Sequence, residues 1–234
     1  MKEESKKKVK KAMLWVLDLG VNVLIIFGLV FLIQKWLIAP FDVSGASMCD
    51  TLNVVEGECI NNHGEKIIIN KAAYVSGDPA RGDIVVFTPP GENTEKYYIK
   101  RVIGLPGETI EIKDGDLYIT ESSGEETTKL EENYLNEENT GNTKIYVSNF
   151  SVFEIPQDHY FLLGDNRKAS TDSRSCFESS VTMECKNNPQ NAYVPRDNIK
   201  GKTWFVWWPL TNMRIIRGQE YMADQATSES LEEK

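Results

Sequence analysis

From Met13 to Ile33 the chain reads MLWVLDLGVNVLIIFGLVFLI, an apolar run broken only by Asp18 and Asn22. A run of this kind has two physical outlets, a buried core helix or a helix that spans a bilayer. Nothing else in the sequence is long enough to wrap a core helix, which favours the spanning one. Trp15 and Trp36 bracket the run, about 31 Å apart at helical rise, matching a bilayer core with an aromatic residue at each face. Asp18 lies within a turn of the first tryptophan, where its carboxylate stays near the headgroups. Before the run stand Lys2, Lys6, Lys7, Lys8, Lys10 and Lys11; after it, Lys35 is the only nearby cation. This bias places the N-terminus in the cytoplasm and everything after Ala39 outside, in a single-pass protein of the cell membrane. Ile38-Ala39-Pro40 offers no small-x-small cleavage site, so the helix reads as a retained anchor in contact with the lipid bilayer.

The net charge of −9 over 234 residues understates how acidic the outer part is, because the lysine cluster lies at the cytoplasmic end. An acidic exterior excludes nucleic acid as a partner. All four cysteines follow the anchor, which suits an oxidising compartment. Cys49 lies close to Cys59 in sequence, and Cys176 to Cys185, so two local bridges are the simplest of three pairings. Two free thiol pairs and a four-cysteine zinc site are the alternatives. Zinc is disfavoured because neither pair has the roughly two-to-four-residue spacing of zinc knuckles, and no metal site is expected.

Past Pro40 the pattern turns to short β-rich runs separated by turn residues. Strands are expected at Lys66–Asn70, in Gly82–Phe87 after a turn, and from Lys96 to Ile103, which Gly104-Leu105-Pro106-Gly107 closes. Thr109–Lys113 and Leu117–Thr120 flank Asp114-Gly115-Asp116 as a hairpin. Later strands are His159–Leu163 and Lys202–Trp208. Helical periodicity is nearly absent, so the exterior is mainly β. The organisation is then a basic cytoplasmic end at 1–12, an anchor at 13–38 and a β-rich domain at 39–222. Within that domain 121–150 is an acidic insertion, and 223–234 a disordered tail. Glu, Asn, Thr and Ser dominate Glu121–Gly141, which reads as a solvated segment with no chemistry to assign. Thr203–Pro209, with three tryptophans, reads either as a core strand with one aromatic outside or as a surface dipping into the outer leaflet.

Three blocks carry residue types that make one chemical proposal: Ser44-Gly45-Ala46-Ser47-Met48, Tyr98–Gly104 and Gly164–Arg174. A serine needs a base to attack a carbonyl at neutral pH. The two histidines, His63 and His159, sit in a likely turn and at a strand start, where structural roles fit better. Lysine can serve instead if burial lowers its pKa from about 10.4 to about 7–8. Lys100 sits mid-strand among Tyr97, Tyr98, Ile99, Val102 and Ile103, and alternation puts Tyr98, Lys100 and Val102 on one face.

In their order after the anchor, these blocks resemble those of the type I signal peptidases, membrane-bound serine–lysine proteases. Pro40–Leu52 looks like the nucleophile segment, Gly82–Phe87 like a structural strand, Tyr98–Glu108 like the base segment, and Gly164–Arg174 like the last diagnostic loop. The resemblance runs from the anchor through Pro209, sparing the insertion and much of Cys176–Tyr193. It implies a signal-peptidase-like β catalytic domain that removes signal peptides from exported preproteins without a cofactor. Ser47 would be the nucleophile and Lys100 the general base, through an acyl-enzyme. Ser170 would hydrogen-bond the lysine amine, and Asp172 and Arg174 would form an ion pair bracing the loop. The Ser47 N–H would serve the oxyanion; Gly45 stands where some relatives add a hydroxyl. Met48, Leu52, Tyr98 and Ile99 would line the pocket for the residue before the cut, and Phe41, Val43 and Ile99 the pocket two residues back. Small pockets of this kind give an Ala-x-Ala preference. Asp50 departs from the proline usual there, and a Cys49–Cys59 bridge would hold the turn in its place.

Two other readings of the residues stand beside this one. One is a non-enzymatic anchored β domain that binds exported chains. The other is a thiol enzyme using Cys49 with a histidine.

Overall fold

The structure is a computed structural model that describes residues 2–75, 77–91, 96–124, 126–146, 151–178, 185, 189–219 and 221. The tail expected at 223–234 lies outside the described residues, as do positions 125 and 147–150 of the insertion. The chain divides into two compact units, Met1–Ala39 and Pro40–Lys234.

In the first unit, α1 runs from Lys2 to Trp36. Its stretch Lys10–Trp36 is long and apolar enough to cross a membrane, spanning about 40 Å at helical rise. Its large apolar side chains from Met13 to Trp36 are exposed. Asn22 Nδ2 donates to the Asp18 carbonyl at 2.9 Å, so this polar side chain is satisfied within the helix.

The second unit is mainly β. Its strands are β1 (Ile38–Ser44), β2 (Val54–Val55), β3 (Glu58–Cys59), β4 (His63–Asn70), β5 (Ile84–Phe87), β6 (Tyr98–Gly104) and β7 (Thr109–Lys113). There follow β8 (Asp116–Thr120), β9 (Thr127–Lys129), β10 (Val152–Glu154), β11 (His159–Leu163), β12 (Val194–Pro195), β13 (Ile199–Trp208) and β14 (Arg214–Ile215). Among the described residues the large sheet runs β1-β4-β13-β5-β6-β11-β12, with β14 beside β13. A second sheet runs β10-β7-β8-β9, and β2 and β3 form a ribbon. Pro40 sits in β1 at the sheet edge, the part of a sheet that tolerates proline.

β6 lies between β5 and β11 and is buried on both faces from Lys100 onward. Ile103 packs with Phe161, Leu163 and the inner faces of β7 and β8 (Ile110, Ile112, Leu117, Ile119). Val102 packs oppositely with Val85, Phe87, Leu162 and Phe177, and Tyr98 joins that cluster. Burial of these side chains contributes roughly 1.5–3 kcal/mol each before entropy is counted.

Most described residues of the 121–150 segment are exposed, but it is pinned to the domain at three buried positions. Leu130, Asn139 and Thr143 are buried. The β7–β8 hairpin docks part of it: Asp114 and Gly115 have φ of 53° and 87°, the mirror-image turn that matches strand twist. A Cβ on Gly115 would meet the Gly141 carbonyl oxygen at 1.9 Å, and the Thr143 N–H donates to the Gly115 carbonyl at 3.0 Å. The sequence hid this docking because the buried partners are polar and follow no hydrophobic period. The Thr203–Pro209 strand also differs from a core strand with one aromatic outside. Trp204, Trp207 and Trp208 are all exposed, beside Leu210, Met213 and Ile215.

Candidate active site

Residues Ser44–Asn53 form a tight turn after β1. Cys49 N–H donates to the Ala46 carbonyl at 3.0 Å, and Leu52 N–H to the Met48 carbonyl at 2.8 Å. Gly45 enters the turn at φ +86°, a conformation that costs a glycine nothing. Asn53, wholly buried, holds the turn from beneath. Its Nδ2 donates to the carbonyls of Gly45 (3.0 Å), Ile60 (3.1 Å) and Asn62 (3.0 Å), while its Oδ1 accepts the Glu65 N–H at 2.8 Å. Cys49 and Cys59 are bridged, as are Cys176 and Cys185, so no cysteine sulfur is left for zinc. Among the described residues no His, Cys, Asp or Glu group is arranged to hold a metal ion.

The turn presents Ser47 to β6. Lys100 Nζ donates to Ser47 Oγ at 2.7 Å and to the Ile99 carbonyl at 2.9 Å. The Lys100 side chain is almost fully buried, opposite Val85 across the strand pair and with the Tyr98 ring 5.7 Å from its amine. Burial drives the lysine down to about 8 against the pull of the Asp172 and Asp165 carboxylates, and Arg174 adds to the depression. At pH 7 roughly one in ten such amines is unprotonated, against fewer than about one in a thousand in water.

The Gly164–Arg174 loop closes the site from the other side. Asn166 donates its N–H to the Ser47 carbonyl at 3.1 Å and its Nδ2 to the Ala46 carbonyl at 3.1 Å. Among the described residues nothing accepts the Ser47 N–H itself. A Cβ on Gly164 would strike Ser170 Oγ at 2.1 Å and the Ser47 carbonyl oxygen at 2.4 Å; only glycine allows this approach. Asp172 and Arg174 form a fully buried pair, Arg174 Nη2 to Asp172 Oδ2 at 2.8 Å and Nε to Oδ1 at 2.8 Å. Burial alone would raise the Asp172 carboxyl, but Arg174 and the Gly164 N–H hold it below its ordinary value.

Ser170 stands differently from the expectation. Its Oγ is buried with no hydrogen-bond partner among the described residues, while the lysine donates to Ser47 and a backbone carbonyl. The hydroxyl helps hold the Asp172 carboxyl down without ordinary hydrogen-bond geometry.

Of the six residues expected to line substrate pockets, Phe41, Tyr98 and Ile99 are half-buried. Val43, Met48 and Leu52 are closed off from solvent. The apolar surface open to a peptide therefore falls to the first three, with the others packed beneath.

Sequence reasoning missed the supports. Arg101 grips Asp165 with two bonds, Nε–Oδ1 at 2.8 Å and Nη2–Oδ2 at 2.6 Å, and Thr51 Oγ1 donates to the same carboxylate. Arg167 is wholly buried against Glu132. Arg101, Asp165 and Arg167 lie inside the blocks already singled out, which is the one signal that could have found them.

A family described as signal peptidase, peptidase S26, matches residues 16–208. The chain is 33% identical over 213 residues to a signal peptidase I P from Bacillus subtilis subsp. natto, covering 90% of this chain and 98% of that protein. It is 33% identical over 213 residues to a signal peptidase I T from Bacillus subtilis strain 168, covering 90% and 94%. A crystal structure of a signal peptidase I from Enterococcus faecalis aligns with a TM-score of 0.36 and 29% identity, over 54% of this chain and 97% of that one. With the family matched over most of its length and full-length relatives a third identical, the chain belongs to the signal peptidases of peptidase family S26, hydrolases that remove signal peptides.

Proposed function

We propose that this signal peptidase cuts after a small residue, in the Ala-x-Ala manner, with Ser47 as nucleophile and Lys100 as general base. The observation that carries this reading is the 2.7 Å contact between Lys100 Nζ and Ser47 Oγ at a buried lysine lowered to about 8. With the amine neutral, the same separation lets the serine O–H donate to the Nζ lone pair.

Ser47 Oγ attacks the scissile carbonyl as its proton passes to Lys100 Nζ. The Ser47 N–H donates to the developing oxyanion, a contribution of about 3 kcal/mol where one such donor has been removed in other proteases. Collapse breaks the C–N bond, and the lysine ammonium gives its proton to the departing amine. Neutral again, Lys100 takes a proton from water as it attacks the ester carbonyl; collapse breaks the C–Oγ bond, and the lysine returns that proton to Ser47 Oγ. Asp172 and Arg174 brace the loop. Ser170 sits within that loop as a positioning hydroxyl, and Gly45 gives the turn its conformation. The open apolar surface of Phe41, Tyr98 and Ile99 suits small side chains, since added bulk would have to displace packed neighbours. The disulfide at Cys49 counts against a thiol enzyme.

The apolar helix and the basic residues before it support a single span with the N-terminus cytoplasmic and the catalytic domain outside. The exposed tryptophans of β13 suit the headgroup region of the outer leaflet.

The test of specificity is a preprotein with Ala at the residue before the cut, compared with one carrying Phe there. The alanine substrate should be cut at that bond, by N-terminal sequencing of the product, and the phenylalanine substrate at least about 10²-fold more slowly. Equal rates would overturn the small-residue preference.

A further inference from the structure

Residues 132–146, polar and without a motif, touch all three blocks that build the site. On the nucleophile turn, Asp50 receives three donors from them: Asn136 N at 3.1 Å, Asn136 Nδ2 at 2.7 Å and Asn139 Nδ2 at 3.0 Å. On the base strand, the Arg101 guanidinium lies 3.9 Å over the Tyr134 ring. On the closing loop, Glu132 pairs with Arg167, the Tyr146 hydroxyl donates to the Ser170 carbonyl at 3.4 Å, and Arg174 Nη1 donates to the Lys144 carbonyl at 3.3 Å.

Asn139 is the joint. The same buried amide that donates to Asp50 accepts the Lys168 N–H through its Oδ1 at 3.3 Å. One side chain therefore ties the turn carrying Ser47 to the loop carrying Ser170, Asp172 and Arg174. Asp50 itself has φ +113°, a conformation proline cannot take. A carboxylate at this position needs a partner that a proline would not, and the 132–146 segment supplies it.

We propose that residues 132–146 are a positioning strap of the catalytic site, in which Asn139, acting on Asp50 and the Lys168 N–H, fixes Ser47 Oγ against Lys100 Nζ, a role that rests on the Ser47–Lys100 reading above. The strap touches no reacting atom. Its loss lets the turn and the closing loop separate, which lengthens the Ser47–Lys100 contact and admits water to the lysine.

The experiment is the pH dependence of kcat/KM for preprotein cleavage by the full chain in detergent, for wild type, Asn139→Ala, Asn139→Asp, Asp50→Ala, the Asp50→Ala/Asn139→Ala pair and Ser47→Ala. Asn139→Asp is nearly isosteric and sets a second carboxylate against Asp50, so it perturbs the joint with the least change in shape. Thermal unfolding of each variant corrects the rates to folded enzyme. The charged groups bearing on the lysine are Asp165, Asp172 and Arg174, and none is altered.

The strap predicts kcat lower by about 10–10²-fold in the Asn139 and Asp50 variants, with KM changed less than about threefold. It also predicts the lysine limb moved to higher pH, and the pair no slower than the worse single variant. Wild-type kcat and an unmoved limb in Asn139→Asp and Asp50→Ala, with Ser47→Ala inactive, would overturn the strap and leave the dyad standing. Losses that vanish on correction to folded enzyme would overturn it equally. Cutting by Ser47→Ala at the wild-type rate would remove the dyad, and the strap with it.

Discussion

At Lys100 the proposed chemistry and the stability of the fold are opposed at a single residue. An ammonium in this site costs the fold roughly what its shift implies, on the order of 3 kcal/mol for a fall from 10.5 to about 8. Between those two values the unfolded chain binds more protons than the folded one, so stability rises as pH climbs from about 8 to 10.5. Below 8 the folded protein carries the whole penalty. Lys100→Met, close in length and uncharged, should therefore unfold at higher temperature than wild type at pH 6.5, by on the order of 1–3 kcal/mol. The difference should shrink toward pH 10.5, and cleavage should be lost throughout. Calorimetry across that range checks it, and a variant less stable than wild type at pH 6.5 would contradict a strained lysine.

Among the elements, the nucleophile turn is held from outside itself. Asn53 ties it to the carbonyls of Ile60 and Asn62, and the Cys49–Cys59 bridge closes the same loop. Replacing both cysteines by alanine should cost about 2–3 kcal/mol in denaturant unfolding, by release of the unfolded chain. An unchanged midpoint and slope would mean the bridge is redundant with Asn53. β5, β6, β7, β8 and β11 were legible because alternating or continuous apolar runs and turn glycines are local signals. The Ser47–Lys100 approach was legible only through the order of three blocks, since neither side chain carries a local mark. Asn53 and the 132–146 segment were not legible. The partners of the 132–146 segment lie far along the chain, as Arg167 does from Glu132, and polar burial by pairing, at Asn53 as well, leaves no period to read. Among the described residues Ser170 Oγ has no hydrogen-bond partner, and the Ile99 carbonyl that the lysine meets leaves no mark in residue types.

At the scale of the whole molecule, the anchor and the catalytic domain divide the work. An apolar helix is long enough to cross a membrane, and a β scaffold buries the lysine proposed as the base. The most direct measurement is cleavage of an Ala-x-Ala preprotein by the full chain reconstituted in lipid vesicles, comparing wild type with Ser47→Ala and Lys100→Ala. Wild type should release the mature protein, and each variant, folded by its thermal transition, should be slower by at least about 10³-fold. Cutting by folded Ser47→Ala at the wild-type rate would contradict the dyad.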